Sequence, residues 1–205
     1  MPEIQIKRIG RAMTTVRIEG TAPLIMHRFS LKARQQMLDK QRGRANVREP
    51  KNPEELFEAS LHRLPGDRYG FPASGFKDAT VKGARHYKGS KLTMEGMKTT
   101  LFVVGEGPDM LVPILGSEPK MREDAVRNET GVADIRFRGE FWPWYADLPI
   151  LFVPTTITLE SVVALVDAGG LSGVGDWRPA SKKSYSGMYG TWKVVDDQDI
   201  REVLL

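Results

Sequence analysis

Residues 172–194 read SGVGDWRPASKKSYSGMYGTWKV, and they decide how the rest of the chain is interpreted. This stretch, called the glycine-rich segment below, holds four glycines, four basic residues and four large aromatic residues, with Asp176 as its one acid. Glycine lets a backbone approach a ligand closely, basic side chains neutralise phosphates, and aromatic rings stack on unpaired bases for about 1–3 kcal/mol per base. The composition therefore predicts a loop that binds a single nucleic-acid strand.

The two ends of the glycine-rich segment predict structure, and its middle predicts binding. The outer glycines are expected to end one helix and to start the last strand. Trp192 alternates with Thr191 and Lys193 and is expected in the core. The residues expected to contact phosphate or base are Trp177, Arg178, Lys182, Lys183 and Tyr185.

The remaining chain alternates between strand and helix patterns. Residues 14–21 (TTVRIEGT) alternate as a half-buried strand, and residues 159–170 (LESVVALVDAGG) repeat apolar residues at helical spacing after the capping residue Thr158. Further helices are predicted after Asn52 and after Ser74. This order predicts an α+β fold with an antiparallel sheet and helices on one of its faces.

Two patterns concern the middle of the chain. Apolar runs on either side of the turn GEGPD, residues 105–109, predict two strands that pair with each other. Residues 133–141 (ADIRFRGEF) alternate strictly, which predicts Ile135 inside and places Arg136 and Arg138 on an open face of the sheet.

Length and composition predict one domain over residues 1–205, with residues 30–70 as a basic, partly helical insertion. The chain has no cysteine, which excludes disulfides and cysteine-ligated metal sites. No apolar run approaches the roughly 18 residues that a membrane span needs. A soluble, cytoplasmic protein without membrane contact is expected.

Basic residues also cluster outside the glycine-rich segment. The net charge is +4, but residues 28–51 hold eight basic residues against two acids, and residues 77–98 are basic as well. Such clusters indicate either a polyanionic partner or a solvated surface. The further residues predicted to bind nucleic acid are His27, Arg28, Lys32, Arg34, Lys40, Arg42, Arg44, Lys77, Lys82, Arg85, Arg136 and Arg138.

The sequence contains no catalytic motif that supports an enzymatic function. The three histidines lack metal-ligand spacing, and the neighbouring acids Glu123 and Asp124 are of a kind common on solvated turns. No metal and no cofactor are expected. His27 follows a strand and sits beside Arg28, a combination that could cleave a phosphodiester, so an endoribonuclease is kept as an alternative.

A helix that ends in glycine, a glycine-rich loop and a final strand resemble the signature of the RAMP superfamily, the RNA-binding subunits of CRISPR effector complexes. GLSGVGDWRPASKKSYSGMYGTWKV (residues 170–194) carries the likeness, helped by VRIEGTAPLIMH (residues 16–27) and the basic region after it. Within the superfamily the chain is most similar to the subunit that forms the backbone along guide RNA. Its two glycine pairs, Gly173 with Gly175 and Gly187 with Gly190, are separated by eleven residues, so the loop between them is longer than the usual compact loop. The resemblance implies a ferredoxin- or RRM-like core, a single-stranded ligand, self-assembly and no cofactor.

We therefore expect a non-enzymatic protein that coats single-stranded RNA or DNA as a homo-oligomer, a filament or a ring, with other complex subunits as further partners. The resemblance is also open to a phage-encoded relative. The alternative from a different class is a structural or assembly protein of a phage, in which the basic stretch docks on an acidic neighbour.

Overall fold

The structure is a computed structural model that describes residues 8–29, 31–43, 50–89, 92–127, 131, 133–182 and 186–205, with the backbone alone at 31–33 and 40. The strands are β1 (Ala12–Gly20), β2 (Leu24–Met26), β3 (Arg63–Leu64), β4 (Arg68–Pro72), β5 (Leu101–Val103), β6 (Leu111–Gly116), β7 (Lys120–Arg127), β8 (Ala133–Phe141), β9 (Trp144–Phe152), β10 (Trp192–Val194) and β11 (Val203–Leu204). The helices are α1 (Leu31–Gln41), α2 (Pro53–Ser60), α3 (Ala73–Gly83), α4 (Met94–Thr100) and α5 (Leu159–Gly170), and a 3-10 turn over Ala84–His86 follows α3.

Two antiparallel sheets form the body of the protein. The larger has eight strands in the order β10-β1-β9-β6-β4-β3, with β11 beside β1 and β5 beside β9. Strands β1 and β9 pair along almost their whole length, from Ala12 opposite Phe152 to Glu19 opposite Tyr145. The smaller sheet has the order β2-β8-β7, so the hairpin of β7 and β8 stands apart from the main sheet.

Strands β1 and β9 place every second side chain in the core. Val16 and Ile18 of β1 are fully buried, as are Leu148 and Ile150 of β9. Alternating apolar residues on paired strands form one continuous apolar face, which helices can cover. Helices α3 and α5 do so, and they add to the same apolar cluster Phe76, Ala79, Val162, Leu165 and Val166. The predicted α+β architecture, with helices on one face of an antiparallel sheet, is confirmed.

Helices α3 and α5 touch at positions that lack a side chain. A Cβ on Gly83 would lie 2.7 Å from the carbonyl oxygen of Leu165 and 3.0 Å from the backbone nitrogen of Gly169. A Cβ on Gly169 would lie 2.8 Å from Cα of Thr80. Glycine has a low helix propensity, but here it allows the two helix backbones to approach each other.

Local sequence signals predict the starts of α2 and α5 and the strand at Trp192 correctly, whereas α3 begins at Ala73, before Ser74, and α4 was not predicted. The side chain of Asn52 accepts hydrogen bonds from the first turn of α2, and Thr158 Oγ1 accepts one from the amide of Ser161 in α5. Trp192 is 3% exposed, and its Nε1 donates to the carbonyl of Val166 at 3.0 Å. The core position of Trp192 is therefore confirmed.

The predicted pairing of the strands around residues 105–109 is limited to one antiparallel bridge, between Glu106 and Leu111. Beyond that bridge, strands β5 and β6 lie one after the other along the same edge of β9 and do not pair with each other. A turn signal fixes where the chain changes direction, but the apolar faces decide which strand becomes the partner. The long central strand β9 offers both short strands a buried neighbour, which they could not offer each other.

Within the predicted insertion at residues 30–70, α1 and α2 are helical and β4 joins the larger sheet. In the part of the chain that the structure describes, no helix combines the length and apolar character needed to cross a bilayer. The single domain over residues 1–205, the bounds of the insertion and the cytoplasmic location stay predictions.

Candidate nucleic-acid interface

The two described parts of the glycine-rich segment, residues 172–182 and 186–194, are hydrogen-bonded to each other. The amide of Val174 donates to the carbonyl of Gly190 at 3.0 Å, and the amide of Gly190 donates to Pro23 at 2.8 Å. The amide of Asp176 donates to the carbonyl of Ile25 at 2.9 Å. These bonds fasten the segment to itself and to the chain at β2, about 150 residues earlier.

Two glycines make this arrangement possible. Gly190 has a φ of +65°, and a Cβ there would lie 1.8 Å from the carbonyl oxygen of Val174. Gly175 has a φ of +78°, and a Cβ there would lie 2.4 Å from the carbonyl oxygen of Ile25. A residue with a side chain would be strained at both positions and would push the segment away from β2.

Asp176 joins the glycine-rich segment to two other parts of the chain. Its Oδ2 lies 3.1 Å from Nδ1 of His27, just after β2, and 3.0 Å from the guanidinium of Arg138 in β8. Burial alone would raise the pKa of Asp176, but the hydrogen bond with His27 and the charge of Arg138 lower it overall. The single acid of the segment is thus an ionised anchor between β2 and the hairpin.

Arg138 is buried, which corrects the prediction that it lies on an open sheet face. It is 2% exposed, and its guanidinium also donates to Asp124 of β7 at 2.9 Å. The ring of Trp177 lies 5.2 Å from its guanidinium carbon. Alternation correctly separates Arg138 from Phe141, but it does not reveal that the glycine-rich segment covers the arginine face. Ile135, predicted inside, is 45% exposed.

Arg122 of β7 also contacts the glycine-rich segment, and it was not among the residues predicted from the sequence. Its guanidinium donates to Asp124 at 2.8 Å and to Glu140 at 2.6 Å, and it lies 4.9 Å from the ring centre of Tyr189. Burial opposes the charge of Arg122, but the bonds to Glu140 and Asp124 outweigh it and raise its pKa above the ordinary value. The sequence did contain a signal for this ion pair, because Arg122 and Asp124 share one face of a strand that precedes a second alternating strand.

Comparisons with known proteins show the fold. No protein-family model and no curated protein matches the chain. A chain in the cryo-EM structure of the Type III-B Cmr-beta bound to cognate target RNA matches with a TM-score of 0.50 and 10% sequence identity. The match covers 95% of this chain and 61% of that one, so this chain spans about three fifths of its length. This chain therefore shares its fold with that chain. The ferredoxin- or RRM-like fold class that the resemblance implied is thereby confirmed, while the particular subunit is not.

Several predicted binding residues lie on the described parts of residues 28–42, on β8 and on the glycine-rich segment. Arg28 is half-buried, and its amide donates to the carbonyl of Ser60 at 2.8 Å. Arg34 and Arg42 are exposed on and just after α1. Arg178 is half-buried, and its Nη1 donates to the carbonyl of Gly175 at 2.9 Å. Lys182 and Arg136 are exposed and half-buried, respectively.

The ring of Trp177 contacts two guanidiniums, those of Arg122 and Arg138, and the ring of Tyr189 at 5.9 Å between ring centres. These contacts hold the glycine-rich segment on the hairpin. Base stacking by Trp177 stays a prediction.

The predicted group on and after α3 has protein partners instead of an open position. Lys82 donates to Asp78 at 2.5 Å, and Arg85 Nε donates to the sulfur of Met94 at 3.2 Å. Lys77 lies 3.9 Å from the ring centre of Phe102, and burial lowers its pKa. These contacts explain where the three side chains lie, and their role in binding stays a prediction.

The structure does not describe every residue predicted to bind. Arg44, Lys183 and Tyr185 lie outside the described residues, and so do the side chains of Lys32 and Lys40. Phe29, which sequence reasoning missed, is 59% exposed directly after Arg28. The tripeptide His-Arg-Phe at 27–29 was the signal, because an exposed aromatic next to a basic residue suits a base and its phosphate. Over the described residues, no three histidine or acidic side chains are grouped to hold a metal ion.

Proposed function

We propose that this protein binds single-stranded RNA on the face where residues 27–42, the glycine-rich segment and the β7–β8 hairpin meet. The observation that carries the proposal is the 3.1 Å contact between His27 and Asp176. It places two basic segments, one starting at Arg28 and one containing Arg178 and Lys182, beside each other although they are far apart in sequence.

The chemistry of this face suits a strand with unpaired bases. Arg34, Arg42 and Lys182 are exposed and can neutralise phosphates, while Phe29 offers an exposed ring for stacking. Lys51 anchors the C-terminal end of the basic stretch to the hairpin, through Asp134 and through the carbonyl of Ile135 at 2.8 Å. The basic stretch is therefore tied to this face at both ends.

The similar solved structure supports RNA over DNA as the ligand. That structure is of a complex bound to cognate target RNA, and the likeness extends over 95% of this chain. By this analogy we propose that the chain works as a non-catalytic subunit of a larger nucleoprotein complex.

A salt series with a labelled single-stranded RNA of mixed sequence tests the proposal. Anisotropy at about 50 mM salt should show binding, and the logarithm of the association constant should fall with the logarithm of salt, by about 0.7 per phosphate contact. No binding at about 50 mM salt, or binding that ignores salt, would overturn the proposal.

A charge-matched pair of variants locates the face. Arg34→Ala with Arg42→Ala should weaken binding and reduce the salt slope by about 1 to 1.5, because two phosphate contacts are lost. Lys98→Ala with Arg201→Ala removes the same charge from exposed positions outside this face and should leave the slope unchanged. Equal effects of the two pairs would place binding elsewhere.

Self-assembly along the strand is part of the proposal. Two large apolar side chains are exposed here, Leu171 (62%) next to the glycine-rich segment and Met188 (74%) within it, and they could meet a neighbouring copy. Electron microscopy with and without single-stranded RNA should show rings or filaments only with RNA. Assemblies that persist after nuclease treatment, without absorbance from nucleic acid, would favour the structural or phage assembly protein.

One observation favours the endoribonuclease as a second candidate. Because Nδ1 of His27 faces Asp176, Nε2 of its ring is left to accept or donate a proton. If labelled RNA is cleaved by the purified protein, His27→Ala should abolish cleavage. Cleavage that survives this substitution would remove His27 from that role.

A further inference from the structure

A cavity of about 300 Å³ lies between the end of β2, the start of α3 and the glycine-rich segment. Its lining includes His27, His62, Phe71, Asp78, Asp176 and Arg178. This volume is near the lower end of small-ligand sites and is sufficient for one nucleotide. The cavity opens beside the basic face described above, since His27 and Arg178 belong to both.

The polar wall of the cavity suits a phosphate. Arg178 donates through Nη1 to the carbonyl of Gly175, and among the described residues its other N–H groups have no partner, so they can serve a ligand. The two carboxylates already have cations of their own, since Asp78 pairs with Lys82 at 2.5 Å and Asp176 pairs with Arg138 at 3.0 Å. The charge of Arg178 is therefore not cancelled within the lining, and an anion beside it gains a charge-assisted hydrogen bond.

The opposite wall suits a base. The rings of Phe71 and His62 meet edge to face, with 6.3 Å between ring centres, and Val174 and Pro72 add apolar surface. Burial lowers the pKa of His62, and the charge of Arg28 acts in the same direction, so this imidazole is uncharged at neutral pH. A neutral imidazole next to Phe71 gives a weakly polar aromatic wall with hydrogen-bonding ring nitrogens.

We infer that this cavity binds one nucleotide unit, with its phosphate at Arg178 and Nε2 of His27 and its base against Phe71 and His62. The inference rests on the proposed function, because the occupant is one unstacked nucleotide of the bound strand. It names a pocket for a single base and phosphate, whereas the exposed basic face accounts for the rest of the strand.

The histidine ring signals of the intact protein in NMR spectra provide the first test. The chain has three histidines, and two of them line the cavity while His86 does not. Titration with adenosine 5′-monophosphate should shift the signals of His27 and His62 and leave that of His86 in place. Inorganic phosphate or adenosine alone should shift them less at the same concentration. An absence of shifts overturns the inference, and equal shifts with phosphate alone reduce the cavity to an anion site and also overturn it.

A substitution that fills the cavity provides the second test. Ser74 lines the cavity and is exposed, so Ser74→Phe adds bulk there without entering the core. It should weaken binding of single-stranded RNA about tenfold, within the range expected for one lost base contact, and should abolish the nucleotide shifts. Thr155→Phe adds the same bulk at an exposed turn away from the cavity and should change neither measurement.

The outcomes separate this inference from the proposed function. If the RNA binds with the expected salt dependence but Ser74→Phe has no effect and the histidine signals stay in place, the cavity is not a nucleotide site and the proposed function stands. If the mononucleotide shifts His27 and His62 but no RNA binds, the cavity is a nucleotide site and the proposed function is wrong. If Ser74→Phe does not fold, the titration of the unmodified protein still decides the inference.

Discussion

Asp176 shows how one residue can hold the proposed binding face together. It is the single acid in the glycine-rich segment, and it contacts the imidazole of His27 and the buried guanidinium of Arg138. The sequence makes Asp176 conspicuous by its charge, but it does not reveal either partner. Strand alternation tells which residues of β8 share a face, whereas the element that covers this face is a distant part of the chain.

Asp176→Asn should destabilise the protein by about 1–3 kcal/mol. Arg138 would keep Asp124 but lose its second carboxylate, and a buried charge with fewer partners is costly. Urea unfolding followed by circular dichroism measures the change. Asp199→Asn removes a carboxylate from an exposed pair and should cost less than about 0.5 kcal/mol. Equal losses would show that Asp176 has no special structural role.

His62 should make the fold sensitive to mild acid. Its pKa is lowered in the folded state by burial, so the unfolded chain binds more protons below about pH 6.5 and stability falls as the pH drops. His62→Gln should shrink the difference in unfolding free energy between about pH 7.5 and about pH 5.5. His86→Gln, at an exposed position, is the control. An unchanged difference in His62→Gln would contradict this account.

At the scale of elements, local signals were sufficient for α2 and α5 and insufficient for strand partners. Asn52 and Thr158 act within one turn of the helices they cap, so the sequence around them contains the whole interaction. Strands β5 and β6 depend on β9, about 30 to 50 residues further along, and no turn residue encodes that choice. The separate sheet of β2, β7 and β8 was missed for the same reason.

The crossing of α3 and α5 gives a prediction at this scale. Gly83→Ala should destabilise the protein by about 1–3 kcal/mol, although alanine favours helix by about 1 kcal/mol, because its Cβ would meet the backbone of α5. Gly96→Ala in α4 is the matched control, since a Cβ there meets one side-chain oxygen, of Thr93, at 3.2 Å. Urea unfolding should show Gly96→Ala to be neutral or slightly stabilising. A stabilised Gly83→Ala protein would disprove the close contact.

At the scale of the whole molecule, the sheet brings early and late parts of the chain together. Strand β1 pairs with β9, β10 and β11, so the first described strand lies among the last ones. The resemblance carried by residues 170–194 correctly predicted the fold class. It did so because the other elements of the fold have to pack around the glycine-rich segment. The layout of the basic residues could not be anticipated, since it depends on which segments those long-range pairs place side by side.

Binding of RNA to this whole surface should stabilise the folded state. At about 50 mM salt, single-stranded RNA at 100 times its Kd should add about 2.7 kcal/mol to the unfolding free energy, and most of the gain should vanish at high salt. Thermal unfolding with and without RNA measures the effect through Tm. A duplex of the same length should raise Tm less, because its bases are unavailable for stacking. A Tm that RNA does not change would contradict binding to the folded chain.

The contact between His27 and Asp176 also has a consequence for the timing of synthesis. The two residues are 149 positions apart, so His27 leaves the ribosome long before its partner exists. At about 5–20 residues per second, the intervening chain takes about 7–30 s to make. The basic stretch after β2 is therefore present on a growing chain before the glycine-rich segment is made, and the complete proposed binding face is among the last features of the molecule to form.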